Sequence, residues 1–273
     1  MINPGSELVT MKDQNSVESE AFRMLATNLL MRDFDEQIKI INVISANSGE
    51  GKSTVSLNLA NVFSQMKKKV LLIDLDLKLP SIHKKLGVQN KVGITDVMAG
   101  RANLSDALIK INQNFLVLLS GSTIPFSSEF VQSKKLQNFL SKSKEIVDII
   151  IIDTPPINIV ADSMIVSKHC DGTLLCVSCN RNEKKELIRL KDRLENMKIN
   201  ILGIVITKMP SNIKRYVINK TPNATPKLDL DFGENLSFSI TKLHNKNTII
   251  NAILTNNASF VSTIIIQLPH LFQ

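Results

Sequence analysis

Between residues 38 and 208 the chain alternates short, unbroken apolar runs with longer segments of helical spacing. The apolar runs cover residues 38–45, 70–74, 115–120, 147–153, 173–178 and 201–207. They are rich in Ile, Val and Leu and mostly continuous rather than alternating, the pattern of strands covered on both faces. Residues 53–67, 128–142, 162–169 and 182–197 carry the helical spacing. Strand, helix, strand in repetition predicts an α/β fold: a mostly parallel β-sheet flanked by helices, with ligands at the carboxyl ends of the strands.

An amphipathic N-terminal helix is predicted over residues 16–31. Glu18, Glu20 and Arg23 mark its polar side, and Phe22, Leu25, Leu29 and Leu30 its apolar positions. It can dock on its own core or on a neighbouring subunit. Beyond Met209 the character changes: Pro210, Pro222 and Pro226 interrupt a polar stretch, and Ser, Thr and Asn dominate without a period. The reading divides the chain into an N-terminal helical segment (1–36), a nucleotide-binding core (37–210) and an irregular C-terminal tail (211–273) expected to lack regular structure.

A net charge of +8 is spread in small clusters, without the aromatic platform or module that would mark a nucleic-acid binder. The three cysteines, Cys170, Cys176 and Cys179, lie in or near one apolar stretch, and the CxxC pair has no second pair to complete a zinc site. They read as reduced strand residues of a cytoplasmic protein. Residues 1–32 lack the apolar stretch expected of a signal peptide, and no run of eighteen purely apolar residues predicts a transmembrane helix.

Three motifs carry chemistry. Ala46-Asn47-Ser48-Gly49-Glu50-Gly51-Lys52-Ser53 matches GxxxxGK[ST] except for the leading Ala, and it lies between a predicted strand and a predicted helix. Gly49 and Gly51 allow backbone N–H groups to wrap a phosphate, and the following helix aims its N-terminus at the same anion. Lys52 then reaches the outer phosphates, Ser53 ligates Mg²⁺, and Thr54 touches the α-phosphate, so 47–54 forms the ATP cradle. Asp74 and Asp76 end the second apolar run. Two residues apart on a strand they share a face, so both are expected to look into the phosphate site, one as a metal partner and one as a base. Four isoleucines, 149–152, deliver Asp153 to a strand tip, followed by Thr154-Pro155-Pro156, a Walker B pattern.

In this order the motifs resemble those of the bacterial tyrosine kinases of capsule and exopolysaccharide synthesis, relatives of the MinD/ParA P-loop ATPases. The likeness runs over about residues 18–208. It includes Pro80-Ser81-Ile82-His83 and the segment from Gly93 through Asp96 to Gly100. The resemblance implies an ATP-dependent protein tyrosine kinase with ATP at 46–54. Mg²⁺ is held by Ser53 and Asp76, and by Asp153 through water. Asp74 acts as base and Lys52 as the phosphate-binding catalytic residue. It implies a homo-oligomeric ring and activation by the cytoplasmic tail of a membrane polysaccharide co-polymerase, hence recruitment to the inner face of the membrane. Protein tyrosine substrates and a cognate phosphatase complete the implied partners. His83 is implied to be structural.

The sequence also departs from the family pattern. In Glu20-x-x-Arg23-x-x-Ala26 the last Arg of the ring motif is Ala26. The tyrosine cluster is reduced to Tyr216 alone. Thr207 stands where an Asn near the adenine is usual. Two other outputs fit the motifs: an ATPase switch of the MinD/ParA type, against which Asn47 replaces that group's signature Lys, and a non-kinase scaffold.

Overall fold

The computed structural model describes residues 8–32, 38–178 and 184–208, together with four short strands further along the chain. In chain order the elements open with α1 (Val9–Lys12), α2 (Val17–Arg32), β1 (Ile40–Ser45), α3 (Lys52–Gln65), β2 (Val70–Asp74), α4 (Ile82–Leu86), α5 (Ile94–Met98) and α6 (Leu104–Ala107). They continue with β3 (Leu108–Asn112), β4 (Phe115–Leu118), α7 (Ser127–Gln132), α8 (Lys134–Ile146), β5 (Ile149–Asp153), α9 (Asp162–Ser167), β6 (Gly172–Ser178), α10 (Lys184–Asn196) and β7 (Ile201–Thr207). The short strands are β8 (Leu228–Asp231), β9 (Ser237–Ile240), β10 (Ile250–Ala252) and β11 (Ile264–Ile266).

The main sheet runs β10-β11-β7-β6-β1-β5-β2-β4-β3. Its six central strands, β7 to β4, pair in parallel; β3 and the two tail strands pair antiparallel at the edges. β1, β2, β5 and β6 are buried at every position, as their continuous apolar runs require. Alternation along each strand feeds separate cores. Val43, Leu72 and Ile151 pack with α3, while Ile40, Ile73 and Ile152 pack beneath α8. A third core gathers Ile44, Val177 and Leu194.

The N-terminal helix docks on its own chain: Phe22, Leu25 and Leu29 join the α3 core. Together with α1 it covers the outer side of α3, so α3 is buried almost all round. That explains buried polar residues on a helix. Asn58 Oδ1 accepts from the backbone N–H of Thr10 at 3.1 Å and from its hydroxyl at 2.9 Å; Asn61 donates to Thr10 Oγ1 at 3.0 Å and Gln65 to Thr10 O at 3.0 Å. Each group is partnered, as burial demands. Ala26 is also fully buried.

Three expectations are corrected. The helix over 128–142 is two helices, because the Ser133 side chain accepts from Leu136 N and caps α8. β3 was not foreseen: it is a half-exposed edge strand containing Lys110, with no apolar run. Cys170 lies half-buried after α9, not on a strand, although Cys176 is buried in β6 as expected; Cys179 falls outside the described residues. Most of 211–273, including Tyr216, is also outside them, apart from the four short strands. Among the described residues no helix is long and apolar enough to cross a membrane.

Candidate nucleotide site

β1 ends at Ser45 and the chain turns through 46–51 into α3. The turn needs its glycines: Gly49 and Gly51 have φ of 78° and 88°. A Cβ on Gly51 would also lie 3.3 Å from Thr207 Cγ2. The loop is braced from beneath. Ser45 Oγ donates to Asn47 O at 2.8 Å, Glu50 Oε2 accepts from Asn47 N at 3.0 Å, and Thr207 Oγ1 donates to Glu50 O at 2.7 Å. Glu50 is therefore turned inward and buried, whereas Ser48 and Gly49 form the exposed tip. Lys52, only 6% exposed, and Thr54 lie in the first turn of α3. Thr207, read from the sequence as an adenine-side substitution, is thus a brace of the phosphate loop.

The carboxylates arrive on neighbouring strands. β2 and β5 pair in parallel with Asp74 opposite Asp153, and β5 pairs with β1 with Asp153 opposite Val43. This brings Asp153 under the start of α3. Ser53 Oγ donates to Asp153 Oδ2 at 2.5 Å, and Ser56 Oγ donates to Oδ1 at 3.3 Å. Asp74 and Asp76 are both buried, at 0% and 8% exposure, but they do not share a strand face. Leu75 N still bonds Asp153 O in the parallel ladder, and the chain folds back directly after it. Asp76 N donates to Asp74 Oδ1 at 3.1 Å, Ile82 N to Asp74 Oδ2 at 3.4 Å, and Leu79 N to Asp76 Oδ1 at 3.0 Å. Residues 75–82 form a strap over the strand end.

The structure therefore gathers Ser53, Asp74, Asp76 and Asp153 at one carboxyl edge, next to Lys52. Burial, then repulsion from Asp153 and Asp76, holds Asp74 well above the usual carboxylate range. Burial also raises Asp153 to about 6, against the opposing pull of Lys52 and the Ser53 hydroxyl. Such an acid cluster suits a cation: a divalent ion would relieve the repulsion that now favours protonation. No group of three His, Cys, Asp or Glu side chains among the described residues forms a metal cage. Mg²⁺ takes one or two protein ligands and fills its shell with phosphate oxygens and water. His83 is half-buried on α4. Burial and the neighbouring Lys84 lower its pKa, and its Nδ1 has no hydrogen-bond partner, so it stands outside the carboxylate network.

Two residues at the site had no sequence signal that singled them out. Ser56 lies three positions after Ser53 and so on the same helix face. Ser81, in the strap, donates from Oγ to Ser53 Oγ at 2.7 Å; no spacing rule brings a loop residue there.

A parallel sheet with a glycine loop at the head of a buried helix, and an acid tip on the adjacent strand, defines a P-loop NTPase. The family profile described as "ParA: NUBPL iron-transfer P-loop NTPase" matches residues 37–239. The tyrosine-protein kinase YwqD of Bacillus subtilis is 36% identical over 75% of this chain and 88% of its own length. The kinase domain of the Escherichia coli tyrosine kinase ETK superposes with a TM-score of 0.69 at 28% identity, over 73% of this chain and 78% of that one. The septum site-determining protein MinD of Pyrococcus horikoshii, complexed with Mg-ADP, gives a TM-score of 0.52 at 26% identity, over 64% and 70%. Within the P-loop NTPases, the chain belongs to the bacterial tyrosine-protein kinase family.

Proposed function

We propose that this protein transfers the γ-phosphoryl group of ATP to protein tyrosine in the control of capsular or exopolysaccharide synthesis. The observation that carries the reading is the convergence of Lys52, Ser53, Asp74, Asp76 and Asp153 at one sheet edge, in a chain of tyrosine-kinase ancestry. Loop 47–54 and the N-terminus of α3 cradle the phosphates, with Lys52 at the β- and γ-phosphates. Ser53 and Asp76, and Asp153 through water, would hold Mg²⁺, which when bound offsets charge on the transferring group. The tyrosyl oxygen bonds to the γ-phosphorus as the bond from that phosphorus to the β,γ-bridging oxygen breaks. ADP leaves, and the tyrosyl proton passes to Asp74. Burial and its acidic neighbours raise the basicity that this role needs. Asp74 is fully buried, and its two carboxylate oxygens accept from Asp76 N and Ile82 N of the strap.

The same reading places the protein at the cytoplasmic face of the membrane. Its partners are the tail of a polysaccharide co-polymerase, other copies of itself, protein tyrosine substrates and a phosphatase. Ala26, on α2, is buried in the chain's own core, so this position offers no side chain to a ring contact.

The test is phosphotransfer from labelled ATP with Mg²⁺, to the chain itself and to an added substrate protein. Tyr216 is the only tyrosine, so self-labelling must disappear in Tyr216→Phe while labelling of the substrate persists. Both must disappear in Lys52→Met and Asp74→Asn. ATP hydrolysis without any phosphotyrosine would instead favour a switch of the MinD type.

A further inference from the structure

We infer that Ser81 is a positioning residue for the metal-ligating hydroxyl of Ser53; the inference rests on the nucleotide-binding reading above. A serine hydroxyl has one proton and two lone pairs. Ser53 spends its proton on Asp153 Oδ2 at 2.5 Å and receives the Ser81 proton on one lone pair at 2.7 Å. One lone pair is left for a cation. With both bonds made, the hydroxyl cannot rotate, and the direction of that lone pair is set before any ligand arrives. Without Ser81, the bond to Asp153 still orients the hydroxyl, but both lone pairs stay open and nothing reserves one direction for the cation.

The position of Ser81 is itself built. It lies directly before α4 in the strap, whose turns are closed by Asp76 N on Asp74, Leu79 N on Asp76 and Ile82 N on Asp74. Two of the buried carboxylates therefore hold the loop that delivers the Ser81 hydroxyl, and the third receives the Ser53 proton. The arrangement is an outer shell around a single metal ligand, of the kind whose removal weakens metal binding by about 10- to 100-fold.

The experiment titrates Mg²⁺ against the full chain saturated with a fluorescent ADP analogue, and separately measures binding of the same analogue in EDTA. In Ser81→Ala the Mg²⁺ concentration at half-effect should rise about tenfold, with affinity in EDTA unchanged. Ser81→Thr, which keeps the hydroxyl, should restore the wild-type value. An unchanged or lower Mg²⁺ requirement in Ser81→Ala would overturn the proposal, as would failure of Ser81→Thr to rescue. Equal loss of binding with and without Mg²⁺ would show a collapsed loop and also count against it. Absence of analogue binding by the wild-type chain would instead remove the nucleotide reading itself.

Discussion

Asp153 and Asp96 are two buried aspartates with opposite fates. Asp153 sits at the tip of β5 among other acids, and its pKa is raised to about 6. Asp96, on α5, is opposed by burial too, yet falls to about 2. The difference is in the donors. Asp96 accepts from Ser122 N at 3.0 Å, Ser122 Oγ at 2.7 Å, Arg101 at 3.0 Å and Gly93 N at 3.1 Å. Asp153 receives two serine hydroxyls and faces Asp76. One carboxylate fastens the loop after β4 to α5; the other is left short of positive charge where a ligand brings it. Burial alone does not tell a structural acid from a functional one, but the donor count does.

The largest test of this contrast is Asp74→Asn. Loss of the proposed base should lower phosphotransfer by about 10²–10⁴-fold. The nucleotide-free chain should become more stable, by about 0.5–2 kcal/mol, because a repelled buried charge is gone. Activity assay and thermal unfolding together check both signs; a drop in melting temperature would contradict the account of the acid edge.

Asp96→Asn should do the reverse. A carboxylate held at about 2 against an ordinary 3.8 stabilises the fold above the unfolded value, a contribution of about 2 kcal/mol. That contribution is fully present at neutral pH and lost as pH falls from about 4 to about 2. Urea unfolding across that range should show the loss in the wild type and a flatter profile in Asp96→Asn. For Asp153 the sign inverts. The native state holds the extra proton, so nucleotide-free stability falls as pH rises from about 4 to about 6. Saturating Mg-ADP should remove that fall, which the same unfolding series can read.

Smaller effects separate loop from fold. Thr207→Val removes the hydroxyl that donates to Glu50 O and should cost about 0.5–1.5 kcal/mol through the lost hydrogen bond, with weaker nucleotide binding by fluorescence titration. Thr10→Val breaks the contacts to Asn58 and Asn61 far from the ligand. It should cost about 1–2 kcal/mol in chemical unfolding and leave nucleotide affinity intact.

The contrast also marks what the sequence could show. The strands ending in Asp74 and Asp153, and the loop at Gly49–Lys52, were legible because continuous apolar runs and glycine spacing are local. The placing of Asp76 was not, since the strand rule stops at Asp74 where the strap begins. Ser81 meets Ser53, and Thr207 meets Glu50, only through tertiary folding. Short α4, α5 and α6 and the edge strand β3 carry too few residues to show a period. Asp96 was seen as part of a family-like segment, but its four donors come partly from a loop after β4 that no local pattern joins to it.

The covering of α3 by α1 and α2 has a consequence for how the protein is made. During synthesis those two helices leave the ribosome before the helix they enclose, and they must wait with Phe22 and Leu25 uncovered until residues 52–65 follow. A gene trimmed to start at residue 37 reverses the problem: α3 is then born on time but with Asn58, Asn61 and its apolar neighbours facing water. This segment is in effect the last wall of the domain to be set, although it is translated before the helix it covers.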